Sequence, residues 1–204
     1  MSLTIDVPEF RVPSTRARWL RQRARVRRTL RARLGELPRR PAMPAAATLV
    51  GREDRGDHVV ERVALDNAAG AVVPAVIVRP AAAPPRGGWP VVLYHHWHGD
   101  EYALGKTELF RREHTPEEPG PTLARRGYLV FAIDAYGFGE RQGQGPGGPA
   151  EIGRDEELSA AKLNLWLGRS LWGMMLRDDQ VALDYIWSRP DIDRARIGAM
   201  GMSM

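Results

Sequence analysis

The chain has 204 residues, of which 43% are hydrophobic, 27% charged and 7% aromatic. This composition is ordinary for one soluble globular domain and excludes a fibrous or disordered chain. The absence of cysteine excludes disulfides, thiolate catalysis and cysteine-ligated metals.

The net charge of +5 is distributed unevenly. Residues 11–40 contain twelve arginines and one acid, Glu36, whereas residues 41–204 sum to −4. We therefore divide the chain into an N-terminal basic helical arm, residues 1–40, and a main domain, residues 41–204. The first residues lack the features of a secretory signal, and the longest apolar runs are too short for a membrane span. We expect a cytoplasmic protein without membrane association.

The segment from Ser14 to Leu37 predicts a helix with Ser14 or Thr15 as its N-cap and Gly35 near its end. Its apolar residues recur at helical spacing: Trp19, Leu20, Val26, Leu30 and Leu34. We expect this narrow stripe to lie on the main domain. The alternative is a nucleic-acid arm, because clustered arginines release counterions from phosphates. No aromatic platform or reader motif accompanies the arginines, so a nucleic-acid partner is not expected.

Strands and helices are predicted to alternate through the main domain. Residues 41–48 are interpreted as a linker, and a hairpin is expected at 58–65 and 72–79, with Pro74 indicating an edge strand. Continuous apolar runs predict three buried strands, at 91–94, 129–133 and 196–200. Helical segments are expected at 120–127, 155–167 and 170–187. The pattern predicts an α/β fold with a mostly parallel sheet led by an antiparallel hairpin.

The last predicted strand runs directly into Gly201-Met202-Ser203-Met204. Gly-x-Ser after a buried strand of an α/β chain predicts a sharp turn that exposes a serine hydroxyl. A non-glycine residue in such a turn stores roughly 1–3 kcal/mol of strain, which is tolerated mainly where function uses it. The structural alternative is that Ser203 caps a helix. We favour Ser203 as a nucleophile.

Several stretches carry a resemblance to a known family, in the expected order. They are the arginine-rich leading helix ending in LGELP, YHHWHGDEYALGK at 94–106, ARRGYLVFAIDAYGFGER at 124–141, and the run from 167 to 204 that ends in RIGAMGMSM. Together they resemble an α/β-hydrolase, closest to the dienelactone-hydrolase-like and acetylxylan-esterase-like branch. The resemblance implies a three-layer fold and ester hydrolysis through an acyl-enzyme, with no metal or cofactor.

The same resemblance assigns the site. Ser203 is the implied nucleophile, and the backbone N–H of Met204 is one implied oxyanion donor. The second donor is expected in the loop after the strand at 91–94, with Trp97 as the best candidate and His96 and His98 next.

The chain departs from the family in three ways. The cysteine nucleophile of dienelactone hydrolase is absent, which favours a serine esterase. Met204 stands where the best-known acetylxylan esterases place glutamine, which weakens any assignment to acetylated sugars. The family's triad acid and histidine follow the serine, where this sequence has only Met204. We therefore expect the N-terminal part of a longer hydrolase, with the strand at 196–200 as an exposed edge and little activity of its own.

Other side chains near the expected site have structural alternatives. Candidate pocket residues are His96, His98, Tyr136 and Trp166, although tryptophans are more often packing residues. The segment HHWH at 95–98 could supply a base or a metal site, but no acidic ligand cluster accompanies it. Asp134 is expected to brace the loop 136–141. Three charged residues are expected to be structural partners on the last helix: Arg177, Asp178 and Asp179.

The expected function is therefore a serine-dependent carboxylic ester hydrolase that acts on a small-molecule ester. Two alternatives are open. One is a non-catalytic binding protein that uses the basic helix, and the other is a serine peptidase of the same fold.

Overall fold

The computed structural model describes residues 11–41 and 45–203, which form a six-stranded sheet with helices on both faces. The strands are β1 (Ala47–Asp54), β2 (His58–Asp66), β3 (Val72–Pro80), β4 (Trp89–His95), β5 (Leu129–Ile133) and β6 (Ile192–Gly201). The α-helices are α1 (Arg16–Leu34), α2 (Pro119–Arg125), α3 (Gly153–Trp166) and α4 (Leu171–Ser188). Short 3₁₀ helices lie at Gly105–Phe110 and Gly139–Arg141. None of the helices in these two ranges is both long and apolar enough to cross a bilayer.

The sheet has the strand order β1-β2-β3-β5-β4-β6. The pairs β1–β2, β2–β3 and β3–β5 are antiparallel, whereas β4 lies parallel to both β5 and β6. The predicted α/β fold led by an antiparallel hairpin is confirmed. The expected mostly parallel sheet is not found in the described residues, where three of the five strand pairs are antiparallel because β3 joins the leading strands to β5 in the antiparallel direction. Residues 196–200 lie in the sheet, because Val91–His95 of β4 pair with Ile197–Gly201 of β6.

The strands bury apolar side chains on both faces, as the continuous apolar runs predicted. Phe131 packs in a cluster with Ala182 and Ile186 of α4, whereas its neighbour Val130 packs with Ala124 of α2 on the opposite face. This alternation follows from the two-residue period of a strand. Burying a large apolar side chain contributes about 1.5–3 kcal/mol, so the two clusters fix β5 between the helix layers.

Two predictions about the first strands were wrong. Residues 47 and 48 belong to β1, not to a linker, and β1 pairs with β2 although Leu49 and Val50 are 59% and 67% exposed. The strand containing Pro74 is not an edge strand, since β3 lies between β2 and β5. Pro74 is tolerated because its carbonyl accepts from the Asp134 N–H just beyond β5, so its missing N–H faces the end of that strand.

Helix α1 has the predicted ends but not the predicted packing. Thr15 Oγ1 accepts from the Arg18 N–H at 3.3 Å, and Gly35 ends the helix with a φ of 86°. No residue of α1 is buried, so the expectation that its apolar stripe lies on the main domain was wrong. The physical reason is that nine arginines surround and interrupt the stripe, and burying them would desolvate their charges.

The C-terminal end of α1 is nevertheless attached to α4. The Leu34 carbonyl accepts from the Ser170 N–H at 2.9 Å, and Gly173 lets the two segments approach. A Cβ on Gly173 would lie 2.9 Å from the Leu34 carbonyl oxygen. Helix α1 is therefore fixed to the main domain at its C-terminal end.

Candidate active site

Strand β6 ends at Gly201, which lies against His95 of β4. A Cβ on Gly201 would lie 2.7 Å from the His95 carbonyl oxygen and 3.0 Å from the His95 Cβ. Real Cβ atoms rarely come so close, so the pairing of the two strand ends requires glycine here. The first glycine of Gly-x-Ser therefore has a steric reason in the neighbouring strand.

Ser203 follows two residues later, is exposed, and has a φ of +70°. In the described ranges only two other non-glycine residues, Ala68 and Asp100, have positive φ. Such a backbone is strained for an L-residue and concentrates at functional turns. Within the same ranges no side chain hydrogen-bonds the Ser203 hydroxyl.

The two predicted oxyanion donors have different positions. Met204 lies outside the described residues. The Trp97 N–H donates to Glu108 Oε2 at 2.6 Å, and Glu108 is only 3% exposed. Burial, reinforced by the negative charge of Glu108, also raises the pKa of the neighbouring Tyr94. The Trp97 amide is thus held by a buried carboxylate in this arrangement.

His95 pairs with Asp179 of α4, with 3.5 Å between His95 Nδ1 and Asp179 Oδ1. Both side chains are about one-third exposed. A hydrogen bond to Asp179 raises the pKa of His95, and desolvation opposes this shift. The sequence suggested His95 as a base and Asp179 as a structural helix residue, but did not predict that they meet.

His96 is buried and joins the loops after β4 and β5. Its Nδ1 lies 2.9 Å from the Trp97 carbonyl oxygen, and its Nε2 accepts from the Ala135 N–H at 3.1 Å. These partners assign a neutral imidazole with the proton on Nδ1. Burial accordingly lowers the pKa of His96.

His98 connects the loop after β4 to α3. Its Nε2 lies 3.0 Å from Glu157 Oε2, and its Nδ1 accepts from the Asp100 N–H at 3.2 Å. Tyr102 donates its hydroxyl proton to the same Glu157 carboxylate. The three histidines therefore have separate partners, and no three His, Asp or Glu side chains of residues 11–41 and 45–203 are grouped as metal ligands.

Tyr136 and Trp166, the other two candidate pocket residues, do not share the contacts of the histidines. The Arg141 guanidinium lies 5.2 Å from the centre of the Tyr136 ring, and burial raises the pKa of Tyr136. Trp166 is 89% exposed at the end of α3.

The fully buried Asp134 braces the loop 136–141 as predicted. Its carboxylate accepts from Lys106 Nζ at 2.6 Å and from the Glu140 N–H at 3.0 Å.

A cavity of about 210 Å³ lies between the ends of β4 and β5 and the first half of α4. We call it the α4 cavity. It is lined by Tyr94, His95, His96, Ile133, Ala135, Arg141, Trp172, Met175, Leu176, Asp178 and Asp179. This cavity was not predicted from the sequence. Its signal was the spacing of Trp172, Met175, Leu176 and Asp179, which places them on one helix face.

The chain is similar in sequence to a known protein and similar in fold to several solved structures. The chain is 37% identical over 184 residues to a Bacillus subtilis (strain 168) protein named "Putative hydrolase YtaP", a match that covers 89% of this chain and 56% of that protein. No protein-family model matches the chain.

Solved structures resemble the described fold. A "putative acetyl xylan esterase" from Bacteroides fragilis NCTC 9343 has a TM-score of 0.71 at 18% identity, and covers 93% of this chain and 49% of its own. Acetyl Xylan Esterase 1 from Thermoanaerobacterium sp. JW/SL YS485 has a TM-score of 0.53 at 16% identity, and covers 86% of this chain and 55% of its own. The chain spans about half the length of the relatives it matches. It is an α/β-hydrolase-fold protein.

Proposed function

We propose that the chain is a serine-dependent carboxylic ester hydrolase in which Ser203 is the nucleophile. The observation that carries the proposal is the exposed Ser203 with a φ of +70° immediately after β6. The names of the relatives agree with it, since one is named a hydrolase and two with similar structures are named acetyl xylan esterases.

In the proposed reaction, Ser203 Oγ attacks the ester carbonyl carbon while a general base takes the hydroxyl proton. The carbonyl π electrons move onto oxygen, and the tetrahedral intermediate then expels the alkoxide, which receives that proton. Water hydrolyses the acyl-enzyme by the same two steps and releases the acid. Each bond change uses only the ester, the serine, the base and water.

The developing oxyanion requires backbone donors. We propose the N–H groups of Met204 and Trp97, each of which would contribute roughly 10²–10³-fold in rate. The Trp97 N–H would then exchange its hydrogen bond to Glu108 for one to the oxyanion. Breaking the hydrogen bond to the buried Glu108 carboxylate offsets part of the stabilisation that the Trp97 N–H would give to the oxyanion.

The general base is not among the groups that hydrogen-bond Ser203 Oγ in the described residues. His95 approaches the β6 end through Gly201, but no described imidazole hydrogen-bonds Ser203 Oγ. Loss of the histidine from a serine hydrolase costs on the order of 10⁶-fold. We therefore propose that the 204-residue chain alone turns esters over very slowly.

Covalent labelling tests the nucleophile without requiring turnover. A fluorophosphonate probe should label Ser203 in a folded protein extended beyond residue 204, as identified by peptide mass mapping. Ser203→Ala should lose the label, whereas Ser188→Ala should keep it, because Ser188 Oγ is occupied by the Tyr185 carbonyl at the far end of α4. Absence of label from a folded protein extended beyond residue 204 would contradict the proposal.

A second candidate function is binding of an acidic partner through α1. The supporting observation is that this helix carries nine arginines and buries none of its residues. Salt-dependent retention on heparin that disappears when residues 1–40 are removed would support it.

A serine peptidase of the same fold is the other alternative. Comparing turnover of matched ester and amide substrates distinguishes it from an esterase.

A further inference from the structure

We propose that the α4 cavity binds the acyl group of the substrate, and that this group is uncharged, apolar and longer than acetyl. This inference rests on the proposed function and defines the substrate class of the same site. It follows from the position of the cavity, its lining, its charge balance and its size.

The cavity lies next to the strand that carries the nucleophile. His95 forms part of its wall, and the His95 Cβ and carbonyl contact the position of Gly201. Ser203 follows Gly201 by two residues. An acyl chain that reaches the cavity from Ser203 would pass His95, the residue that both lines the cavity and contacts the position of Gly201.

The lining is mainly apolar and adaptable. Met175 and Leu176 of α4 face Ile133 and Ala135 at the end of β5 across the cavity. Methionine fills irregular spaces because its side chain is flexible and polarizable. Trp172 at the cavity is 61% exposed, so an apolar ligand there would remove aromatic surface from water.

The charges that face the cavity are already paired. Arg141 Nη1 lies 2.9 Å from Asp178 Oδ2, with both side chains 2% exposed, and His95 pairs with Asp179. Asp178 also accepts from Asn67 Nδ2 at 3.0 Å. A charged acyl group would enter without a free counter-charge, and burial of such a charge is unfavourable. These pairs select an uncharged group.

The volume exceeds what an acetyl group needs. A cavity of about 10–15 Å³ is large enough for one water, and the α4 cavity has about 210 Å³. An acetyl group would leave most of this apolar space unfilled. Each additional buried methylene is worth about fourfold in affinity, which corresponds to about 0.8 kcal/mol.

Ligand binding to the Ser203→Ala chain tests the inference without turnover. We expect methyl hexanoate to bind at least tenfold more tightly than methyl acetate, as measured by NMR titration of the Trp172 indole signal. Met175→Phe should reduce this preference by narrowing the cavity, and Leu176→Phe provides a second variant at a less buried position. Met200→Phe is the matched control, because Met200 lies on the opposite face beside α2.

The outcomes separate the two proposals. Equal affinity for the two esters overturns the acyl subsite, as does an unchanged preference in both cavity variants when their thermal melts show folded protein. Chain-length-dependent binding to Ser203→Ala, without fluorophosphonate labelling of Ser203 in the folded unsubstituted protein extended beyond residue 204, overturns the proposed function and with it the acyl role. Labelling together with the preference, and loss of the preference in either cavity variant, is the expected result.

Discussion

His95 and Gly201 lie opposite each other on the parallel strands β4 and β6, and a Cβ on Gly201 would stand 3.0 Å from the His95 Cβ. This contact joins the end of β4, which is followed by His96 and His98, to the end of β6, which is followed by Ser203. It makes the position of the serine depend on a residue more than a hundred positions earlier in the chain.

We expect Gly201→Ala to displace the end of β6. Overpacking at such a site costs about 1–3 kcal/mol, and the shifted turn should reduce fluorophosphonate labelling of Ser203. Urea unfolding of the chain and labelling rates of the protein extended beyond residue 204 measure the two effects. Gly198→Ala is the matched control on the same strand, because an added Cβ there meets nothing within 4 Å. Equal losses in both variants would contradict the steric role of Gly201.

The pKa values of the adjacent residues His95 and His96 should be shifted in opposite directions. Asp179 raises the pKa of His95 above its usual 6.5, whereas burial lowers the pKa of His96 below that value. NMR titration should therefore give His95 the higher pKa of the two. Asp179→Asn should lower the pKa of His95 and leave that of His96 nearly unchanged. The charge of Asp179 also acts weakly on His96, so equal shifts of the two pKa values, or no shift in either, would contradict the assigned pairing.

The raised pKa of His95 also predicts how stability depends on pH. The folded state holds the His95 proton more tightly than the unfolded state, so the stabilisation from the Asp179 pair is fully present below the unfolded pKa. It is lost as the pH rises through the folded pKa. The difference in unfolding free energy between wild type and Asp179→Asn should thus be larger at about pH 5 than at about pH 9. The opposite trend would exclude a charged His95–Asp179 pair.

Elements with a local signal were predictable from the sequence. The Thr15 cap and Gly35 define the ends of α1, and the apolar run at 129–133 matches β5. Strand β1 has no such signal, because its apolar residues are exposed and pairing with β2 supplies its order. The packing of α1 was also mispredicted, since periodicity alone does not weigh apolar contact against the desolvation of arginine.

The candidate site also combines a feature with a local sequence signal and features that depend on tertiary packing. The turn at Ser203 is local and follows from Gly-x-Ser after a strand, but His95 and Asp179 meet only through the packing of α4 on the sheet. The direction of the Trp97 N–H is likewise set by Glu108, a residue of the following 3₁₀ helix. A sequence pattern identifies the nucleophile candidate, whereas the pairing of polar groups needs the fold.

Removal of the buried Lys106 ammonium should be strongly destabilising. Lys106 Nζ donates to Asp134 Oδ2 at 2.6 Å, and Asp134 is completely buried. Lys106→Met would leave that carboxylate without its counter-charge, at a cost of about 3–5 kcal/mol. Glu140→Gln is the matched control, because Glu140 pairs with the same ammonium but is 68% exposed, and it should cost less than about 1 kcal/mol. Urea unfolding of both variants measures the difference, and similar losses would show that Asp134 does not depend on Lys106.

Two truncations should show that helix α1 and the segment after it, residues 35–41, contribute differently to the unfolding free energy. Removal of residues 1–33 should change the unfolding free energy by less than about 1 kcal/mol, because α1 buries no side chain. Removal of residues 1–41 also deletes the carbonyls of Pro38 and Arg39, which accept from the Arg177 guanidinium at 2.8 and 2.7 Å. Arg177 is 1% exposed and its Nη2 keeps the Asn67 carbonyl as an acceptor, so the loss of the two bonds should cost about 1–3 kcal/mol in total. Urea unfolding of the two truncated chains measures the contrast. A large loss already in the shorter truncation would contradict the exposed position of α1.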